Sequence, residues 1–388
     1  MSLCFSTVAC SKSTKDAATE VGTKEPEKEE TIVRMDVTDK AKLVVNIENA
    51  NGINSVESSR KLVDNDKSTK FLIQSFKPSF NIDFQFDTPR LIGTYEWTSG
   101  NDAEGRDPMD WKFMGSNDGT TWTQLDRQLG ELFRSRNLTK SYSFENKVKY
   151  KYYRLNVTAI YYGDMFQASE LRLIQVPISA QQTNPITRID SVKKDGLSLI
   201  FLNKTPEETL SYKDKMINTF FTVYPKLLKD FNTDAQKSLY FIIDPTYDGA
   251  AYAISNVVVY SYNFMKSNPN DIDIVTHEIM HHIQAYQGGI APGWLSEGIA
   301  DYVRYAYGLN NASSGWSLPN YSPNHNYTDA YRVTARFLAW IEKHVKPGFV
   351  QATDKAIRNK TYTEGFWKST TGKTLDELWA QYAQNPAL

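Results

Sequence analysis

The residues best equipped for chemistry lie in one stretch, residues 271–308. There His277, Glu278 and His281 read HExxH, and on a helix the two imidazoles fall one turn apart on the same face. Two nitrogen donors so placed chelate a metal. Glu278 comes about 100° round the helix from His277, near enough to hold a water on the metal without ligating it, which is the place of a general base. Histidine is scarce, five in 388 residues, so the pairing is not a by-product of composition. A second predicted helix, over 294–302, carries Glu297 and Asp301 four apart and therefore on one face. A catalytic zinc site takes three nitrogen or oxygen ligands and keeps one position open, and His277, His281 and Glu297 supply that set. Asp301 is then placed to accept the spare ring N–H of a ligating imidazole and fix its tautomer. The reverse assignment, Asp301 as ligand and Glu297 outside, uses the same spacing.

HExxH followed by WLSEGIADY resembles the gluzincin metallopeptidases, and that resemblance favours Glu297 as the third ligand. Fifteen residues separate His281 from Glu297, fewer than in the best-known gluzincins, so their loop geometry does not transfer. The similarity is closer to the basic secretory protein family, through HEIMHHIQ, PGWLSEGIADYVR, DAYRVTARFLAWIEKHVKPGF and TLDELWAQY, a resemblance that extends over roughly residues 185–388. The resemblance implies an α+β, zincin-like metallopeptidase domain with Zn²⁺ as cofactor and a protein or peptide as substrate. Tyr331 opens the matching YRVTARFL segment, where a phenol would hydrogen-bond the oxyanion formed during carbonyl attack. A metzincin is excluded, because the Gly and third His it requires are Gln284 and Gln287 here.

These side chains need elements to hold them. Residues 238–244 read as a buried strand and 251–260 as another. In gluzincin-like folds the strand beside the zinc helix is the edge along which an extended substrate pairs, and 251–260 is either that edge or an interior strand. Residues 330–344 have amphipathic helical spacing, with Val333, Phe337, Leu338 and Ile341 as the buried stripe. The polar loop before them, 310–329, carries Trp316, Tyr321, His325 and Tyr327 and is placed to shape access to the cleft.

Over 32–176 the pattern changes to short runs that alternate apolar with polar, such as 80–86, 150–157 and 171–174, broken by turn clusters like Asn117-Asp-Gly119. This predicts an all-β sandwich. LVDNDKSTKF, YEWTSGNDAEGRDPMDWKFMGSNDGTTW, YKYYRLNV and SELRL resemble the discoidin, or coagulation factor V/VIII C-type, module, which has a galactose-binding-like fold. That resemblance implies a module of the kind that binds glycans. Trp97, Trp111, Tyr161 and Tyr162 are either faces for a sugar ring or core residues. Asp64, Asp66 and Thr69, with Glu170, resemble the structural Ca²⁺ site of sugar-binding relatives, and an Asx-rich turn without an ion is the alternative. Residues 177–187, polar and twice broken by proline, suit a linker to the second domain, 188–388.

Composition bounds the partners. Net charge is −1 with no basic stripe, which leaves no electrostatic footprint for nucleic acid. No apolar run reaches the 18 residues or more of a membrane span. Both cysteines, Cys4 and Cys10, precede the folded body, which therefore holds no disulfide. MSLCFSTVAC resembles the tail of a bacterial lipoprotein signal with Cys10 as the acylated residue, which implies an extracytoplasmic protein, secreted or lipid-anchored. Residues 11–31, rich in Lys, Glu, Thr and Ser, are expected to be a disordered tether, so 1–31 form no part of the fold. The expectation is a zinc peptidase carrying a carbohydrate-binding module. The alternative is a glycan- or surface-binding adhesion protein whose metal is structural.

Overall fold

A computed structural model describes residues 32–182, 187–286 and 291–388. The tether with Cys4 and Cys10, residues 183–186 of the expected linker, and Gln287 lie outside them. Among the described residues the N-terminal part is an antiparallel sandwich. One sheet orders Met35–Asp36, Glu170–Gln175, Ile92–Thr98 and Thr139–Ser143, and the other Ala41–Val45, Phe80–Arg90, Tyr150–Ile160, Pro108–Ser116 and Thr123–Gln128. A short pair, Phe71–Ile73 with Phe166–Ala168, adds a third ladder. The alternation in Phe80–Arg90 decides its facing, since Phe80, Ile82, Phe84 and Phe86 are all buried between the sheets. Trp97 and Trp111 are wholly buried, 4.9 Å apart at their centroids, and Trp111 donates its indole N–H to the Tyr95 hydroxyl at 2.7 Å. Of the two readings open to them they follow the core one: no ring face is left for a ligand. Tyr161 is buried too, in the interdomain cluster below, whereas Tyr162 is 45% exposed.

The second domain is built on a mixed five-stranded sheet, ordered Arg188–Lys194, Leu197–Asn203, Ser238–Asp244, Val257–Ser261 and Ala251–Ile254. The three middle strands are parallel, and both edges are antiparallel to their neighbours. Its helices are α1 (Lys213–Asp230), α2 (Tyr262–Ser267), α3 (Ile274–Gln284), α4 (Gly293–Tyr307), α5 (Asn311–Ser314), α6 (Tyr331–His344), α7 (Phe349–Arg358), α8 (Phe366–Thr371) and α9 (Leu375–Gln384). The segment expected as one strand over 251–260 is a hairpin instead, turned at Ser255, which takes φ +54°. Its first half is the sheet edge and its second half is interior.

The parallel strands are apolar on both faces, as parallel strands must be when both faces are covered. Leu199, Phe201, Leu239, Phe241, Ile243, Val258 and Tyr260 pack against the helices. The alternate residues Leu202, Ile242, Val257 and Val259 form a second cluster with Met109, Leu129, Leu132 and Tyr161 of the sandwich. The sandwich thus covers the face of the sheet opposite the helices. Gly130 permits the closest approach: it takes φ +59°, and a Cβ there would lie 2.7 Å from Leu202 Cδ1 and 2.8 Å from Ile242 Cδ1.

Polar groups lock the same seam. Lys204 Nζ reaches Glu131 Oε1 at 2.5 Å, Lys140 reaches Oε2 at 2.8 Å, and Tyr240 donates to Asp110 at 2.9 Å. Burial raises Glu131, but the two ammonium groups more than offset it and hold the carboxyl down at about 2. A carboxyl depressed below its ordinary 4.5 stabilises the fold fully above that pH, and the contribution is lost as pH falls through about 2. Glu131→Leu, which strands both lysines, is expected to cost about 3 kcal/mol at pH 7 and to flatten this acid-side dependence. Urea melts at pH 7 and pH 3 check both effects; equal stability of variant and parent at pH 7 would contradict the account.

Candidate metal centre

The centre is assembled by α3 and α4. Asp273, just before α3, accepts hydrogen bonds from the backbone N–H groups of Leu309 and Asn310, which follow α4, so one carboxylate ties the start of the first helix to the end of the second. Gly298 in α4 lets α6 lie close: a Cβ there would sit 2.2 Å from Thr334 Cγ2. That approach delivers Tyr331, the first residue of α6, to the mouth of the site.

His277 Nε2 and His281 Nε2 face each other at 3.3 Å, and Glu297 Oε2 lies 3.2 Å from the first and 3.5 Å from the second. Among the described residues these three form the one His/Cys/Asp/Glu group whose ligand atoms all fall within 4.8 Å of one another. Asp301 is on the other side of His277, with Oδ1 2.7 Å from Nδ1. His281 has a counterpart that the sequence reading passed over: its Nδ1 is 2.7 Å from Gln284 Oε1. Gln284 is oriented by donating its amide N–H to the Ser296 carbonyl at 2.9 Å, so its oxygen must face the imidazole. Position 284 is three residues after His281, on the same helical face, and that spacing was the available signal.

These bonds fix the tautomers. With the rings neutral, each Nδ1 carries its proton toward an acceptor, which leaves both Nε2 lone pairs and the Glu297 carboxylate directed at one point. Only a cation or a shared proton satisfies such a set. The surrounding charges favour positive charge at the same point. Burial lowers the His277 imidazole, yet the Asp301 and Glu297 carboxylates outweigh it and push it up to about 10. Burial raises Glu297, and the two imidazoles reverse this and hold it well below the carboxylate range. Two imidazoles and one carboxylate, each imidazole braced from behind, are the mixed nitrogen and oxygen donor set that suits Zn²⁺.

Glu278 is 5% exposed and lines the same cleft, of about 380 Å³, which is walled by Ala251, Tyr252 and Ala253 of the edge strand and by Tyr286. Among the described residues its carboxylate accepts no hydrogen bond, and burial pushes its pKa up against the pull of the two imidazoles. Tyr331 is 55% exposed, its ring stacked on His277 at 6.2 Å and 20°. It takes φ +45° directly after Ala330 at φ +62°, two left-handed residues in succession without glycine. Each costs on the order of 1–3 kcal/mol, strain of the kind that gathers at functional sites. The third histidine of the run, His282, lies outside that group: its Nδ1 bonds the Ser255 carbonyl at 2.8 Å and pins the edge hairpin to α3.

Residues 193–382 match the family described as a peptidase of plants and bacteria, the basic secretory proteins. The C-terminal domain belongs to this family. Over 49 residues the chain is 53% identical to the peptide-N(4)-(N-acetyl-β-glucosaminyl)asparagine amidase of Arabidopsis thaliana, covering 12% of this chain and 7% of that protein's length. Solved structures that resemble the chain include the CBM32-5 module of Clostridium perfringens in complex with GalNAc-β-1,3-galactose, at 14% identity over 36% of this chain and 99% of that one, TM-score 0.31. The F5/8 type C domain of a Bacteroides fragilis protein is similar at 11% identity, over 37% of this chain and 97% of that one, TM-score 0.32. The sandwich assignment rests on its own strands and core.

The calcium expectation falls on a loop that is already internally bonded. Asp64 pairs with Lys61 at 3.0 Å and with the Thr69 hydroxyl at 2.9 Å, Asp66 Oδ1 accepts from Ser68, and Glu170 accepts the Asp66 N–H at 2.9 Å while pairing with Arg172. These contacts are those of an Asx-rich turn. In the peptidase-family domain, no described helix is long and apolar enough to cross a membrane, and the same holds for the sandwich.

Proposed function

We propose that the C-terminal domain is a zinc-dependent peptidase acting outside the cytoplasm, and that the sandwich brings it to glycosylated substrates. One observation supports the first reading above the rest: in an open cleft, three lone-pair donors converge beside a buried carboxylate that accepts no hydrogen bond among the described residues. Zinc held by His277, His281 and Glu297 would polarise a carbonyl and acidify a water. Glu278 takes the proton from the attacking water and hands it to the leaving amine, base and acid in turn. Burial that raises its pKa suits a carboxylate that must hold a proton between those steps. The Tyr331 phenol donates to the oxygen on which negative charge develops. The edge strand Ala251–Ile254 offers its outer backbone groups to an extended peptide. Membership of a peptidase family supports hydrolysis as the reaction class, and the discoidin-like motifs of the sequence support the glycan role.

A peptide-library digest by the zinc-loaded full chain tests both halves. Cleavage is expected, abolished by a chelator and restored by zinc. Zinc at one equivalent with no cleavage would end the peptidase reading and favour an adhesion protein with a structural metal. Equal rates on glycosylated and deglycosylated forms of one protein substrate would remove the glycan-directing role.

A further inference from the structure

The wall of the cleft opposite α4 is not built by the peptidase-family domain alone. Tyr252, on the edge strand, lines the metal cleft and also belongs to the cluster shared with the sandwich. Its ring packs edge-on against Tyr247 at 5.0 Å and 71°. Tyr247 sits in the loop that joins Ser238–Asp244 to the edge strand, and its hydroxyl turns back to the Ala251 carbonyl at 3.4 Å. Above that ring is Arg134 of the sandwich, its guanidinium carbon 4.9 Å from the centroid. The same guanidinium reaches Asp244 Oδ2 at 2.5 Å, while Asp244 Oδ1 accepts from both the N–H and the hydroxyl of Thr246 at 2.7 Å. One sandwich side chain therefore grips the segment at Asp244, where the strand ends, and at the Tyr247 ring within the loop. Tyr247 also feels the Glu278 carboxylate, after burial the largest influence on its phenol, and in turn acts on Tyr331.

We propose that Arg134 is a positioning residue of the active site: by clamping Asp244 and Tyr247 it holds the loop over 244–252, and with it the Tyr252 wall, in the geometry that seats substrate beside the metal. The sandwich is then a working part of the hydrolytic centre as well as a targeting module. The activity arm of this inference rests on the peptidase reading; the conformational arm does not. A planar guanidinium serves both contacts at once, which an ammonium cannot, so lysine should replace it only in part.

The test uses the full, zinc-loaded chain. In Arg134→Ala, amide hydrogen exchange over 244–252 should accelerate about tenfold, while exchange in α3 and zinc stoichiometry stay at parental values. kcat/KM on a peptide from the digest should fall by roughly 10- to 100-fold, the scale of a displaced wall remote from the reacting atoms, and Arg134→Lys should recover part of the loss. Tyr240→Phe, which removes the interdomain hydrogen bond to Asp110 away from this loop, should change kcat/KM less than about twofold and separates the clamp from general loosening of the seam. Unchanged loop exchange in Arg134→Ala, or an equal loss of activity in Tyr240→Phe, overturns the proposal. If the parent protein hydrolyses no peptide, the peptidase reading fails, and loop exchange alone decides whether Arg134 is a clamp.

Discussion

Glu278→Gln is expected to lower kcat for peptide hydrolysis by about 10³-fold while leaving zinc binding intact. The side chain is isosteric, so the cleft keeps its shape, and Glu278 is one residue outside the donor set formed by His277, His281 and Glu297. What the amide cannot do is accept a proton from water and pass it on, a contribution of roughly 10²- to 10⁴-fold for a positioned acid–base group. Metal analysis beside steady-state kinetics separates the two effects. Full activity in a zinc-replete Glu278→Gln protein would remove Glu278 from the reaction, and loss of zinc would place it among the ligands.

The second large effect distinguishes the two carboxylates of α4. Glu297→Ala removes one of three donors and is expected to abolish stoichiometric zinc binding and activity together. Asp301→Asn leaves the donor set whole but replaces the acceptor on His277 Nδ1 with a group able to turn its N–H toward the ring, which unsettles the tautomer. Its expected cost is a ten- to hundredfold weaker zinc affinity, on the scale of losses behind a metal ligand, with activity regained at saturating zinc. Competition against a chromophoric chelator gives both affinities. Should Asp301→Asn lose zinc outright while Glu297→Ala retains it, the roles of the two residues are reversed.

Much of this centre was legible because it is local. His277, Glu278 and His281 share one helix, and Glu297 and Asp301 another, so helical spacing alone puts the groups on common faces. The convergence of the two helices has no such signature: it depends on Asp273 bridging to Leu309 and Asn310 and on the absence of a side chain at Gly298, both tertiary facts. Gln284 was readable from its spacing, but an amide gains meaning only once Ser296 fixes which end faces the imidazole. In the sandwich, alternation located the strands of the core. It did not tell a ligand-facing tryptophan from a buried one, because Trp97 and Trp111 occupy strand positions whose facing follows from register.

The seam between the domains was the least readable feature. Ile242, Val257 and Val259 announce two strands buried on both sides, which any α/β sheet between two helical layers would also show. Nothing in the pattern says that the second layer is a β-sandwich, or that Arg134 reaches across it. The turn at Ser255 was missed for a related reason: the whole of 251–260 is favourable for strand, and two polar residues within it do not outweigh that run without knowledge of where the sheet ends.

The central claim is that two imidazoles and the Glu297 carboxylate hold one zinc ion beside Glu278. Anomalous diffraction measured on both sides of the zinc edge, on crystals of the purified full chain, tests it most directly. One strong peak is expected, within bonding distance of His277 Nε2, His281 Nε2 and a Glu297 oxygen, with no fourth protein ligand. A peak coordinated by Asp301 in place of Glu297, or no anomalous density between the imidazoles in zinc-supplemented crystals, would contradict it.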